Sequence, residues 1–294
     1  FVAVKFKNNQ TEDGEMNARM GLFTLLLGCA LATLASAQTV QGTGNNWGQG
    51  YRSDGKGGLQ GTGDVPPAPT ARAEPADAKA QYEMGLAYLT GEGVAQDGVE
   101  ANKWFLKAAE QGHANAQLLV GIAYSNGEGA PKDYAEAMRW LRKAADQGSM
   151  VGQAEVGRMY ALGRGVEQDD VEAAKWFRMA AVQGYAESQS SLGWMYAEGR
   201  GVPRDDVEAE KWYRMAAEQG DANAQTSLGY IYEQGKGVDQ DLTEAVKWYR
   251  KAAEQGDAMG QNNMGVAYLK GLGGVDMDAE EAQKWFRKAA AQGN

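Results

Sequence analysis

Apolar residues recur at helical spacing through most of the chain. In one representative segment Ala224, Leu228 and Tyr232 are four residues apart, so they share one helix face. Gly235 interrupts this pattern, and a second periodic segment ends at Gly256. Glycine is suited to both places because it adopts the left-handed conformation at low cost. The pattern therefore predicts two helices joined by a short loop.

The same two-helix pattern occurs six times from residue 77 to residue 294, with a period of 36 residues and one extra residue in the last copy. A fixed period of this size is typical of repeat proteins whose units stack into one continuous core. The sequence predicts an all-α fold, a right-handed α/α solenoid superhelix of six helix-turn-helix repeats. The repeats are predicted at 77–112, 113–148, 149–184, 185–220, 221–256 and 257–294. Their repeated structural residues are Gly85, Trp104, Gly121, Trp140, Gly157, Trp176, Gly193, Trp212, Gly229, Trp248, Gly265 and Trp285.

An aspartate precedes each second helix, with a glutamate three residues later. This spacing predicts a capping box, in which the aspartate accepts from a backbone N–H of the first turn and the glutamate bonds back to the aspartate's own N–H. Paired carboxylates can also serve glycoside chemistry, but a sixfold recurrence favours a structural role. The pairs are Asp97/Glu100, Asp133/Glu136, Asp169/Glu172, Asp205/Glu208, Asp241/Glu244 and Asp278/Glu281.

The residues before the repeats resemble an export signal followed by a linker. Residues 1–15 are a patternless leader, predicted to be non-native or untranslated. Residues 16–37 combine a positive start, an apolar stretch shorter than a membrane span and an Ala-x-Ala end, which predicts a signal peptide and a mature chain that begins near Gln38. An alternative is a lipid anchor on Cys29. Residues 38–76 are rich in glycine and proline without an apolar period, which predicts a disordered, flexible linker.

Charge and composition exclude several kinds of chemistry. The formal net charge of −10 disfavours nucleic acid, which needs clustered basic residues. One cysteine and one histidine, His113, provide neither a disulfide nor a zinc motif, so we expect no metal and no cofactor. His113 lies between repeats one and two and is predicted to be a surface or capping residue. No constellation for an enzyme is present.

The repeated residues resemble the Sel-one-like repeat family, a relative of the tetratricopeptide repeat. This resemblance covers residues 77–294 and implies an α/α solenoid that acts as a protein-interaction scaffold. A secreted, cysteine-rich branch of the family is linked to penicillin binding, but its cysteine pairs are missing from the repeats here. The alternative function, a cell-wall-associated or β-lactam-interacting enzyme, therefore gains little support. The fifth copy matches the family pattern at Ala222, Ala224, Gln225, Leu228, Gly229, Tyr232, Gly235, Gly237, Val238, Asp241 and residues 248–256.

One face of each first helix varies between the copies, as a binding surface can. By analogy with tetratricopeptide solenoids, this face lines the concave groove and binds a protein or peptide partner. Trp194 lies outside the repeated tryptophan series, and tryptophan, tyrosine and arginine are enriched in binding hot spots. The alternative is that Trp194 and Tyr230 pack against the neighbouring first helix. The predicted partner-binding residues are Tyr82, Leu86, Leu118, Ile122, Arg158, Trp194, Glu198, Tyr230 and Gln234.

The sixth copy keeps the full apolar set of the other repeats. Because the last stacking surface of a solenoid is exposed unless it is capped, the sequence predicts weak self-association through the C-terminal repeat. Taken together, the sequence predicts a periplasmic or secreted scaffold. The apolar set of the sixth copy is Met264, Tyr268, Trp285, Phe286, Ala289 and Ala290.

Overall fold

The computed structural model describes residues 75–293, which form twelve α-helices and one short 3₁₀ helix, with no strand in that range. The predictions for the leader, the signal peptide and nearly all of the linker lie outside the described residues. The helices are α1 Ala78–Thr90, α2 Gly98–Glu110, α3 Ala114–Asn126, α4 Tyr134–Asp146, α5 Met150–Leu162, α6 Asp170–Val182, α7 Ala186–Glu198, α8 Asp206–Glu218, α9 Ala222–Gln234, α10 Leu242–Glu254, α11 Ala258–Lys270 and α12 Ala279–Ala290.

Successive pairs of these helices form the six repeats. The first helix of each pair, called helix A, has an odd number, and the second, helix B, has an even number. Each helix packs against the helices before and after it along the chain. This arrangement confirms the predicted all-α solenoid of helix-turn-helix repeats.

The repeated glycine of helix A lets helix B approach closely. In the fifth repeat a Cβ atom at Gly229 would lie 2.6 Å from the ring of Tyr249, so any larger residue would separate the two helices. All six glycines are buried in the same way. The side chains that they face are Phe105, Leu141, Phe177, Tyr213, Tyr249 and Phe286.

The repeated tryptophan of helix B lies one residue before that facing side chain. Five of the six are buried, and Trp212 is half-buried. In four repeats the lysine three residues later lies over the indole ring, as Lys251 does 3.9 Å from the Trp248 centroid. Repeats three and four carry Met179 and Met215 in place of this lysine, and both are exposed. The helix-B surface is thus less uniform than the core beneath it.

A buried glutamine in each helix A joins neighbouring repeats. Gln189 donates from Nε2 to the carbonyl of Ala181 in the preceding repeat, at 3.0 Å. Its Oε1 accepts from Nε2 of Gln219 at the end of its own repeat, at 2.7 Å. These bonds therefore join helix A of each repeat to the end of its own helix B and to the repeat before it. The exception is Gln81 of the first repeat, which donates to Pro75. The other buried glutamines are Gln117, Gln153, Gln225 and Gln261.

The loop between helix A and helix B covers the start of helix B in the preceding repeat. Gly201 has a φ of 67°, and a Cβ atom there would overlap the carbonyl oxygen of Asp170. Gly273 of the sixth repeat keeps the same contact with Leu242. The extra residue of that repeat is accommodated at Gly274, which has a φ of 81° and where a Cβ atom would have no neighbour within 4 Å.

Candidate protein-binding face

The repeated carboxylates before helix B are occupied by structural bonds. Oδ1 of Asp205 accepts from the backbone N–H groups of Val207 and Glu208, both at 3.0 Å. The second half of the predicted capping box is wrong, because the Asp205 N–H donates to the carbonyl of Tyr196 at 3.0 Å. Glu208 instead forms an ion pair with Lys211. The same arrangement of aspartate, tyrosine carbonyl and basic residue holds in all six repeats.

His113 caps helix A of the second repeat. Its Nδ1 accepts from the N–H of Ala116 at 3.2 Å, and its ring stacks on Tyr82 with 4.4 Å between centroids. Burial lowers the pKa of the His113 imidazole. The cap and the aromatic contact give this histidine a structural role.

Residues 75–293 provide neither a cluster of metal ligands nor a membrane-spanning helix. No group of three or more histidine, cysteine, aspartate or glutamate side chains in this range could hold a metal ion. No helix in the same range is both long and apolar enough to cross a bilayer.

The predicted partner-binding residues lie along helix A of repeats one to five, and this surface is called the helix-A face below. Its exposure increases along the chain. Tyr82 and Ile122 are buried in the first two repeats, where they extend the core. Leu86, Leu118, Arg158 and Trp194 are half-buried, and Glu198, Tyr230 and Gln234 are exposed. The accessible part of the helix-A face therefore belongs to repeats three to five.

Arg158 joins repeats three and four on this face. Its guanidinium forms ion pairs with Glu155 in the same helix at 3.0 Å and with Glu187 in the next repeat at 2.7 Å. The Tyr185 hydroxyl donates to the other oxygen of Glu187 at 3.1 Å. Burial raises the pKa of the Glu155 carboxyl, and the Arg158 charge opposes this rise. The cluster presents one cation held between two acids.

Trp194 is packed into two neighbouring parts of the core. It contacts a cluster of repeats three and four that contains Phe177, and a second cluster of repeats four and five that contains Tyr213. The Arg200 guanidinium lies 5.0 Å from the indole centroid and binds both carboxylate oxygens of Asp170 in the preceding repeat. Trp194 thus lies at the junction of repeats three and four, beside a cation that also links these repeats.

Repeats five and six continue the face with tyrosine and acidic groups. Tyr230 is 46% exposed, with the Lys236 ammonium 4.7 Å from its ring centroid. Thr226 donates to Asp257 of the next repeat at 2.8 Å. Burial raises the pKa of the Asp221 carboxyl, and the neighbouring charges of Glu187 and Asp257 add to this effect. The face is therefore aromatic and predominantly acidic in this half.

The fold and this face together define a class of protein, the α/α solenoids that are typical of protein-interaction scaffolds. The Sel1 repeat matches six consecutive segments, residues 78–113, 114–149, 151–185, 186–221, 222–257 and 258–294. The chain belongs to the Sel1 repeat family. Members of this family are generally scaffolds and not enzymes.

Two solved structures show the same relationship. A protective antigen of uropathogenic Escherichia coli, which displays an SLR fold, is 44% identical with a TM-score of 0.70, over 74% of this chain and 47% of the antigen. The chain thus spans about half the length of that relative. A Sel1 repeat protein from Oxalobacter formigenes is 34% identical with a TM-score of 0.67, over 73% of this chain and 85% of that protein. No curated protein matches the chain.

Proposed function

We propose that the protein is an exported scaffold that binds a protein or peptide partner along the helix-A face. The observation that carries this proposal is the difference between the two sets of helix-A positions. The stacking positions hold the same buried glycine and glutamine in every repeat, whereas the face differs from repeat to repeat and exposes Tyr230, Glu198 and Gln234. A surface that varies on a constant core can be specific for a partner without loss of the fold.

The aromatic residues give this face the chemistry of a binding hot spot. Tyr230 presents a rigid ring at low entropic cost, and Trp194 is a half-buried indole beside the Arg200 guanidinium. The acids of repeats four to six favour a partner with basic residues, because complementary charge speeds encounter and sets orientation.

A capture experiment tests the helix-A face directly. The purified chain would be immobilised and exposed to periplasmic extract, beside Tyr230→Ala and Trp194→Ala variants. Met215→Ala is the matched control, because Met215 is 49% exposed, close to the 46% of Tyr230, but lies on helix B. We expect a partner that is retained by the control and lost with Tyr230→Ala. A partner retained equally by all the variants would contradict the proposal, provided that their melting temperatures agree.

The proposal also includes the cellular location. We propose export to the periplasm or the medium, with loss of residues 16–37 and a mature terminus near Gln38; the alternative is a lipid anchor on Cys29. Mass spectrometry of the exported protein distinguishes the two by the terminal residue and its mass. Weak self-association through the sixth repeat belongs to the same proposal.

A further inference from the structure

A pocket lies at the junction of repeats five and six, between α9, α10 and α11. Its empty volume of about 310 Å³ includes the open solvent at its mouth. The floor is formed by Ala245, Val246, Tyr249 and Ala267, and Val266 and Glu233 line it from helix A.

The equivalent junction of repeats three and four, two repeats earlier, shows what fills such a space. There the buried residues Ala173, Ala174, Phe177 and Met195 occupy the positions equivalent to the four floor residues. Trp194 packs against the cluster that these four residues form. The position equivalent to Trp194 in repeat six is Val266, whose side chain is much smaller. The pocket is therefore the place of an indole ring that the chain fills itself two repeats earlier.

The two junctions also differ in the charged side chains that lie over them. At the junction of repeats three and four the Arg200 guanidinium lies over Trp194 and binds Asp170. Leucines, Leu272 and Leu242, occupy the two equivalent positions at the pocket, so the chain supplies neither the cation nor that acid.

An acid is nevertheless present at the pocket. Oε2 of Glu233 accepts from the Tyr249 hydroxyl at 2.7 Å. An ionised carboxylate has about four acceptor positions, so it can bind a further donor. The pocket thus combines an apolar floor with one negatively charged group, and a cation beside a ring complements both.

We propose that this pocket binds an aromatic side chain of a partner peptide, with an adjacent basic group of that peptide on Glu233. The occupant reproduces the Trp194–Arg200 pair that fills the equivalent space. The inference rests on the proposed function, since the pocket is lined by Glu233, which precedes Gln234 of the helix-A face in α9. It specifies the partner's chemistry.

Small probes test the pocket without knowledge of the partner. Tryptamine carries an indole and a cation, indole-3-propionate carries an indole and an anion, and butylamine carries a cation alone. Binding to the full chain would be followed by ¹H–¹⁵N NMR. We expect saturable shifts at Val266, Ala267 and Leu272 with tryptamine, and weaker binding of the other two probes.

Three variants complete the design. Val266→Trp places an indole in the pocket from within and should abolish the tryptamine shifts. Glu233→Gln should weaken tryptamine about two- to fivefold, as loss of a partly exposed ion pair does. Glu218→Gln is the control, because it removes one exposed acid of helix B that lies neither on the helix-A face nor at the pocket. We expect it to bind tryptamine as the unmodified chain does.

Several outcomes would overturn the inference. These are the absence of saturable shifts at the pocket, equal shifts in Val266→Trp, or equal affinity for indole-3-propionate and tryptamine. If Val266→Trp fails to fold, the Glu233→Gln result still decides the matter. A partner captured through Tyr230 while tryptamine fails to bind would leave the proposed function standing without this pocket. Tryptamine binding without such a partner would support the pocket and leave the proposed function without support.

Discussion

At the scale of single residues, six aspartates perform the same task in six repeats. The Asp205 carboxylate accepts from two backbone N–H groups that the first turn of helix B would otherwise leave without partners. Its position was predictable, since a cap depends only on local sequence. The bond of the Asp205 N–H to Tyr196 was not, because it depends on how helix A lies against helix B.

We expect Asp205→Ala to destabilise the chain by about 1 kcal/mol, the usual cost of a lost helix cap. Asp205→Asn keeps an acceptor oxygen at the same place and should cost less. Urea unfolding of the three proteins measures both effects. Full stability in Asp205→Ala would show that water replaces the cap, and the structural role assigned to these carboxylates would then be wrong.

His113 should make stability depend on pH. Burial lowers its pKa from the ordinary 6.5, and protonation of Nδ1 would remove the acceptor for Ala116. The unfolded chain therefore takes up this proton at a higher pH than the folded chain. The contribution of His113 to stability is complete above pH 6.5 and is lost as the pH falls through the lower folded pKa.

His113→Asp should remove this dependence, since Asp77, Asp221 and Asp257 cap helix A in other repeats. Urea unfolding at about pH 7.5 and about pH 5.5 tests it, because an unperturbed histidine titrates between these values. We expect the unmodified chain to lose more stability than the variant as the pH is lowered. Equal losses would mean that His113 does not titrate in this range.

Trp194 shows the limit of residue-level prediction. Its position outside the tryptophan series marked it as different from the stacking residues, and that much follows from the sequence alone. Its partner Arg200 and the Asp170 carboxylate that Arg200 binds do not follow from the sequence, because they lie in a loop and in the preceding repeat. A long-range contact of this kind is specified by the stacking of repeats, which the local pattern cannot give.

At the scale of elements, the order and type of the helices were predictable because start signals, stop signals and apolar period agree in every repeat. The connections between repeats were less so. The period of the glutamines is visible in the sequence, but the bonds of Gln189 to Ala181 and Gln219 require the register of three helices. The contact of each loop with the preceding helix B likewise appears only in the assembled solenoid.

Alanine substitutions at two glycines distinguish the free-energy cost of disturbing that loop contact from the cost of backbone strain. Gly201 and Gly93 occupy equivalent positions with φ of 67° and 74°, so alanine should cost each about 1 kcal/mol for the left-handed conformation. Only Gly201 lies against another repeat, at the Asp170 carbonyl, whereas nothing lies within 4 Å of a Cβ atom at Gly93. We expect Gly201→Ala to cost about 1–3 kcal/mol more than Gly93→Ala, as overpacking does.

Guanidinium unfolding of the two alanine variants measures this difference. Because the strain is common to both, the excess belongs to the contact between repeats three and four. Equal destabilisation would mean that the loop moves away from Asp170 without loss, and that the loops do not help to hold the repeats together.

At the scale of the whole molecule, the sixth repeat differs from the others in what covers it. Its Met264, Trp285 and Ala289 are buried, and Tyr268 is half-buried, as its equivalents are in every other repeat. The other two positions of the apolar set are less covered than their equivalents. Phe286 is half-buried and Ala290 is exposed. The residues equivalent to these two are buried in all the other repeats, at Phe105, Ala109, Leu141, Ala145, Phe177, Ala181, Tyr213, Ala217, Tyr249 and Ala253.

The surface around Phe286 and Ala290 is thus a stacking surface that no other described residue covers, and exposed stacking surfaces favour association. Because it is small, we expect weak self-association, with a sedimentation coefficient that rises with concentration. Ala290→Glu should abolish this rise by placing a charge in the contact. Ala291→Glu is the matched control, since the equivalent positions already hold acids in Glu110, Glu218 and Glu254, and it should leave the rise unchanged. A sedimentation coefficient of the unmodified chain that is independent of concentration would show that the sixth repeat protects itself.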